Sequence, residues 1–253
     1  MIDANGLRTR HRIEEEFHDT KAREGVNDFY AFGALDEADA HLWQVMGDLR
    51  GKHILEIGCG DGTGTLRFVK AGARVTAIDI SGEMVELTKR VVGAHSLAQN
   101  VDARRMGGED IDFPEETFDI VYGHSILHHL NLDVAGPRIS RVLKRGGMAA
   151  FLEPLDYNPV LNLFRRMTPH RRTPTEKPVR WGQLESLAGG FSRWEHQEFY
   201  FFSLVAFLWY YGLKNRTLFK STQKLLQHID RWLFKLVPPV KKMAWVTVVW
   251  FTR

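Results

Sequence analysis

Apolar residues along this 253-residue chain fall into two rhythms. In residues 36–49, Ala38, Leu42, Val45 and Met46 sit near helical spacing and predict a helix. Residues 8–24 also read as a helix, but a highly charged one whose few apolar positions (Ile13, Phe17, Ala22) suit an exposed or covering element. From residue 53 short β-rich runs take over. Residues 53–57, 74–80, 118–122 and 147–152 predict strands, with helical stretches at 82–92 and 134–143 between them. That alternation predicts βαβ units, a parallel sheet and helices on both of its faces. Past Glu153 the rhythm breaks. Pro154, Pro159, Pro169, Pro174 and Pro178 punctuate a basic stretch of loop or short helices. Residues 196–202 and 243–252 read as two further strands. Between them, residues 222–236 form a helix with Leu225, Leu226, Ile229, Trp232, Leu233 and Leu236 on one stripe, stopped by Pro238 and Pro239.

The strand at 53–57 runs directly into Gly58-Cys59-Gly60-Asp61-Gly62, ahead of a helical segment. Glycines here let the backbone turn tightly and approach a ligand, and the following helix N-terminus favours electron-rich ligand atoms. A tight turn with no ligand is the plain alternative. Asp79, ending the next strand about twenty residues on, stands where a carboxylate accepts hydrogen bonds from ribose hydroxyls. Glu56, two residues before the first glycine, would repel the pyrophosphate of a nicotinamide dinucleotide. A ligand with a ribose, an ammonium and a sulfonium but no phosphate suits Glu56 and Asp79 better, and S-adenosylmethionine has all three.

These segments resemble the class I S-adenosylmethionine-dependent methyltransferases, specifically the methyltransferase type 11-like group that includes quinone-biosynthesis enzymes. LEIGCGDG (55–62) and AIDIS (77–81) resemble the first two motifs; residues 113–130 and 141–154 resemble the segments around the fourth and fifth strands. The resemblance implies a Rossmann-like, doubly wound seven-stranded α/β sheet with the last strand antiparallel. It also implies N-terminal lid helices and a helical, aromatic-rich C-terminal insertion. The expected division is a lid over 1–49, a cofactor-binding core over 50–155 and an acceptor-binding part over 156–253. Carried over, Glu56, Gly58, Cys59, Gly60 and Gly62 face the methionine part of the cofactor, Asp79 the ribose, and Ile80 and Met84 the adenine. The family's acidic residue for the adenine amino group is missing from its usual register. Gly107, Gly108 and Glu109 stand there instead, and Asp102 lies nearby out of register.

Methyl transfer to a hydroxyl needs a proton acceptor, and histidine suits that task near neutral pH. His124, His128 and His129 follow the fourth strand and face the cleft as candidate catalytic groups, His124 also as a cofactor contact. For His124 the competing reading is that its backbone, not its ring, touches the cofactor; for His128 and His129 it is that they orient the loop and pack near the methionine part. His18 and Tyr30 in the lid, Glu153 after the fifth strand, and Arg165 and Arg166 in the insertion are candidate acceptor contacts, the arginines (with His170, Arg171 and Arg172) toward an anionic group. No cysteine or acidic cluster sits at ligand spacing, so no metal is expected.

Charge adds one asymmetry. The net charge is +3, yet residues 155–253 carry sixteen Lys and Arg against six Asp and Glu, or +10, leaving −7 for the rest. The basic half also holds six of the seven tryptophans. Lys224, His228, Arg231 and Lys235 line the apolar stripe of the 222–236 helix. Such a helix packs a core or a homodimer, or lies on an anionic membrane surface. No nucleic-acid-binding motif is present. The single cysteine fits a reducing compartment, and the longest uncharged apolar run, 199–213, is too short to span a bilayer. The expectation is a cytoplasmic transferase that methylates a small apolar or amphiphilic molecule, at oxygen with histidine assistance. Methylation at carbon or nitrogen or of a sugar or glycolipid stays open, as does a non-catalytic cofactor-binding partner.

Overall fold

The computed structural model describes residues 4–24, 33–168, 173 and 175–253. The Val/Ile-rich runs form the middle of a seven-stranded sheet, ordered β3-β2-β1-β4-β5-β7-β6. The strands are β1 (His53–Ile57), β2 (Arg74–Asp79), β3 (Val101–Arg105), β4 (Phe118–His124), β5 (Leu143–Pro154), β6 (Arg193–Phe199) and β7 (Val246–Thr252). The first five are parallel, and β7 is antiparallel to both of its neighbours. β3 was not evident from the sequence. Only β2 pairs with it, and its Val-Asp-Ala-Arg-Arg run lacks an apolar stripe because this edge is half exposed. β6 begins and ends three residues earlier than expected.

Helices α1 (Ala4–Glu24), α2 (Asp36–Met46), α3 (Thr63–Lys70), α4 (Gly82–Gly93), α5 (Leu132–Val142), α6 (Pro159–Met167), α7 (Trp181–Ala188) and α8 (Arg216–Leu236) surround the sheet. Alternation along the strands divides the apolar core in two. Leu55, Ile57, Val121 and Phe151 pack toward α5 and α7, whereas Ile54, Val75, Tyr122 and Leu152 pack toward α2 and α3. The strand order reverses between β1 and β4, so the carboxyl ends of β1, β2 and β4 open a crevice there.

The C-terminal helix differs from its expected placement in two ways. It starts six residues earlier, at Arg216, where the Asn215 side chain accepts from Leu218 N at 2.9 Å. Its apolar stripe also does not face the core: Leu225, Ile229, Trp232 and Leu236 are exposed, while Phe219, Gln223, Gln227, Asp230 and Phe234 are buried. Polar contacts hold this buried face. The Asp230 carboxylate accepts from Phe201 N (2.9 Å), Phe202 N (2.7 Å), Ser203 N (3.2 Å) and the Ser203 hydroxyl (2.7 Å). Gln223 donates to Ala34 O at 2.9 Å, just before α2. Tyr200, at the root of the same segment, receives Glu37 N and Ala38 N on its hydroxyl and so caps α2.

Replacing Asp230 by Ala would strand three backbone N–H groups. Asp230→Ala is expected to cost about 3 kcal/mol, a fall in Tm of roughly 6–12 °C. Differential scanning calorimetry checks this, and a fall below about 2 °C would show that the carboxylate does not anchor α8.

Candidate active site

The turn after β1 is built on left-handed glycines. Gly58, Gly60 and Gly62 have φ of +76°, +51° and +79°. A side chain at Gly62 would strike the backbone of Thr88 on α4, whereas a Cβ at Gly60 would meet nothing within 4 Å, so the turn borders open space. Cys59 is buried, 3.3 Å from the Thr88 hydroxyl.

Two strand-end carboxylates flank this turn. Asp79 accepts from Gly60 N at 3.0 Å and from Ser81 N at 2.9 Å; burial pushes its carboxyl up. Glu56 is fully buried and accepts from the Thr65 hydroxyl at the start of α3. Burial raises its pKa to about 8, and the charged neighbours that act on it are the carboxylates Asp79 and Asp61, not cations. Among the described residues Glu56 is thus a buried acid without a positive partner, beside a glycine turn with room in front of Gly60. An ammonium-bearing ligand with a ribose fits that donor set, and a pyrophosphate does not. Ile80 and Met84 are half-buried just beyond Asp79, with Met84 N on the Ser81 hydroxyl at 3.1 Å.

Gly107, Gly108 and Glu109 are buried at the end of β3, in the expected register. The Glu109 carboxylate is already committed to the fold: it accepts from Asn131 N at 2.7 Å and lies 3.2 Å from His11 Nε2. Burial pushes it up, but these partners outweigh burial and hold it below the usual range. The Glu109 side chain is thus occupied by the fold itself. Asp102 pairs with Arg104 on the exposed sheet edge.

Helix α1 lies across these strand ends, with His11 on Glu109, Glu15 paired with Arg105, Asp19 accepting from the Ser81 hydroxyl, and Arg23 on Glu83 at 3.1 Å. A cavity of about 460 Å³ lies under α1 between Glu15, Asp19, Glu83 and Arg105, and one of about 510 Å³ lies beside α5; neither is lined by Glu56 or Asp79.

The three candidate histidines part company. His124, the last residue of β4, shares the α2/α3 face with Tyr122 and Glu56, and burial pushes its pKa down. His128 is fixed by Glu153, with Nδ1 2.7 Å from Oε2. The other Glu153 oxygen accepts from Ile126 N and Leu127 N, both at 2.8 Å. Glu153, with no exposed surface, therefore shapes the loop after β4 instead of reaching an acceptor. His129 turns toward α1. Its Nδ1 lies 2.9 Å from Glu14 Oε2, off the line of a good hydrogen bond, and neither atom has a hydrogen-bond partner among the described residues. Burial alone would lower His129, but Glu14 outweighs it and raises the pKa. For Glu14, burial works upward; His129 and the hydroxyls of Thr173 and Thr175 overcome it and hold the carboxyl at about 2.

His18 Nε2 is 3.7 Å from the same Glu14 oxygen. Burial first, then His129, push His18 down, and Asp79 is close enough to oppose them. Although no metal is expected from sequence spacing, the fold gathers Glu14, His18 and His129 with ligand atoms within 4.8 Å of one another, and His128, His129 and Glu176 likewise. Glu14, Thr173, Thr175 and Glu176 escaped the sequence reading, although Glu14 and His18 stand one helical turn apart, the one signal that pointed to them. Ser125, at φ +56°, holds a strained left-handed conformation between β4 and the histidine loop.

Of the remaining acceptor candidates, Arg165 turns back onto Leu155 O (3.3 Å) and Asn162 (2.9 Å), and Arg166 is exposed. Tyr30, His170, Arg171 and Arg172 lie outside the described residues.

Glu56 sets a pH dependence for cation binding. The free site holds it protonated below about 8, so an ammonium ligand must expel a proton. Affinity for adenosylhomocysteine is expected to rise with pH until about 8 and then level off, with proton release seen by calorimetry in buffers of different ionisation enthalpy. A flat profile would remove Glu56 from the contact.

Residues 55–151 match the Methyltransferase domain family. A ubiquinone biosynthesis O-methyltransferase of Xanthomonas oryzae pv. oryzae is 37% identical over 127 residues, 49% of this chain and 50% of that protein. A phosphatidylethanolamine N-methyltransferase of Cereibacter sphaeroides is 29% identical over 119 residues, 47% of this chain and 58% of that protein. The chain spans about half the length of the curated relatives it matches. Among solved structures, geranyl diphosphate C-methyltransferase from Streptomyces coelicolor A3(2) superposes with a TM-score of 0.67 at 12% identity, over 96% of this chain and 98% of that one, a likeness of fold. The matched residues 55–151 carry the glycine turn and Asp79, so this segment is similar to the Methyltransferase domain family, set in a sheet whose fold is like that of a solved methyltransferase.

Proposed function

We infer that this protein binds S-adenosylmethionine at Glu56, the glycine turn and Asp79, and methylates a hydroxyl oxygen of a small apolar or amphiphilic acceptor. The reading places it in the cytoplasm, in peripheral contact with a membrane. The observation that carries the reading is the buried Glu56 beside Asp79, with no cation on it among the described residues, facing a helix whose Glu14 lies against His129 at the same cleft. The bound cofactor supplies a methyl group to direct displacement at its sulfonium carbon. The acceptor oxygen forms the new C–O bond as the C–S bond breaks, giving a methyl ether and adenosylhomocysteine. His129 takes the hydroxyl proton, and the Glu14 carboxylate holds the resulting imidazolium. Helix α1 excludes water from the cleft. The relatives include oxygen, carbon and nitrogen methyltransferases, and what separates the oxygen reading from the others is the Glu14–His129 pair.

A thermal-shift titration is expected to raise Tm with adenosylmethionine and adenosylhomocysteine and not with NAD. Glu56→Gln should shrink that response at least about tenfold in apparent affinity. The same variant should raise the Tm of the cofactor-free protein at pH 8, because a folded-state pKa of about 8, above the unfolded 4.5, means stability is lost as pH rises through that window. Failure of the wild type to respond to either adenosyl ligand would end the reading.

His129→Ala is expected to keep cofactor binding while lowering turnover of a hydroxyl acceptor by about 10²–10⁴. Full turnover in that variant would favour a carbon or nitrogen acceptor, which needs no strong base.

A further inference from the structure

Helix α8 is built in three stripes. Its buried residues Gln223, Gln227, Asp230 and Phe234 are each followed by a basic one: Lys224, His228, Arg231 and Lys235. Next in turn come Leu225, Ile229, Trp232 and Leu236. Two residues on is about 200° around a helix, so the apolar stripe points away from the protein, and the basic stripe runs along its margin. Exposure reaches 66% for Leu225 and 65% for Trp232. The stripe does not stand alone. Leu208 and Tyr211, in the turn before α8, are exposed, as are Val160, Leu163 and Met167 on α6. The Phe164 and Tyr211 rings, 6.1 Å apart, join the two regions. Exposed apolar surface on this scale marks an interaction site rather than ordinary surface.

Charge identifies the occupant. From Tyr200 to Met243 the chain has eight Lys and Arg and one carboxylate, Asp230, which is buried under α8. Arg231 and Lys220 are tied to Glu37 and Asp36 of α2, but Lys224 and Lys235 have no ion pair among the described residues. Two copies meeting through this face would oppose like charges. An apolar stripe with a basic margin and a tryptophan suits the headgroup and acyl boundary of an anionic bilayer. No helix among the described residues is long and apolar enough to cross a membrane, so the contact is peripheral.

We propose that the face formed by α6, the 208–213 turn and α8 docks on an anionic phospholipid surface, so that the acceptor reaches the cleft from the bilayer. This rests on the methyltransferase reading for its consequence, though not for its binding. α6 begins five residues after the carboxyl end of β5, and the segment beyond it returns to the lid, where Thr173 donates to Glu14 at 2.8 Å. The docking face thus adjoins the helix that closes the cleft.

The test is flotation of the full-length protein with vesicles of phosphatidylcholine, with and without phosphatidylglycerol, and sedimentation velocity without lipid. Binding to phosphatidylglycerol vesicles, weakened by salt, with a blue shift of tryptophan emission, is expected. Ile229→Glu should lower partitioning about tenfold or more, and Lys224→Glu with Lys235→Glu should abolish the preference for anionic vesicles. Both variants change exposed residues and should keep the wild-type thermal response to adenosylhomocysteine, so a failure of docking is distinguishable from a failure of the cofactor site. No flotation with either vesicle would overturn the proposal. So would a dimer that Ile229→Glu dissociates while vesicles remain unbound, which would make the face a contact between copies.

Discussion

Buried carboxylates organise this molecule, and the constraint is that each must be given hydrogen-bond donors or charge partners. A carboxylate taken out of water costs several kcal/mol unless it is satisfied. At the carboxyl edge of the sheet, Asp79 takes the N–H groups of Gly60 and Ser81, so it fixes two loops at once. Glu153 takes those of Ile126 and Leu127 and the ring of His128. Glu109 takes Asn131 N and pairs with His11 of α1. Asp230 does the same for the aromatic segment before α8. Glu56 is the exception: among the described residues one hydroxyl serves it and no cation does, so burial lifts its pKa to about 8. The unmet need in that set of acids is where a cationic ligand gains most.

The same logic sets the adjacent histidines apart. His128 is held between Glu153 and the packed loop, and its ring orientation is set. His129, its neighbour in sequence, packs its ring beside that of His128, with centroids 4.2 Å apart, but turns its Nδ1 onto a carboxylate that two threonines orient from the far side. Adjacent residues thus serve different ends because a short 3₁₀ turn at Leu127–His129 swings successive side chains by about a third of a turn.

The C-terminal part follows a different economy. Polar groups hold α8 on its inner side and leave its apolar residues outside, the reverse of a soluble surface helix. The arrangement is stable because Asp230 and Gln223 replace hydrophobic contact with hydrogen bonds, and because Phe219 and Phe234 still bury two rings beneath the helix.

Local pattern determined the central strands, the helices between them, the glycine turn with Glu56 and Asp79 at its sides, and both stripes of α8. Each of these depends on residues close in sequence: a period of two, a period of 3.6, or a turn only glycine adopts readily. The polar edge strand β3 was missed because it has one partner and little burial to demand apolar residues. Tertiary structure alone decided the rest. Glu14 and His129 are 115 positions apart, and no local periodicity records their meeting across the cleft. Glu153 and Glu109 looked available for ligands until packing surrounded them with backbone N–H groups. An amphipathic stripe, finally, states that one side of a helix is apolar. Which side faces the protein depends on what the remaining chain offers it, and here Phe201, Phe202 and Ser203 offered N–H groups to Asp230, turning the leucines and Trp232 outward.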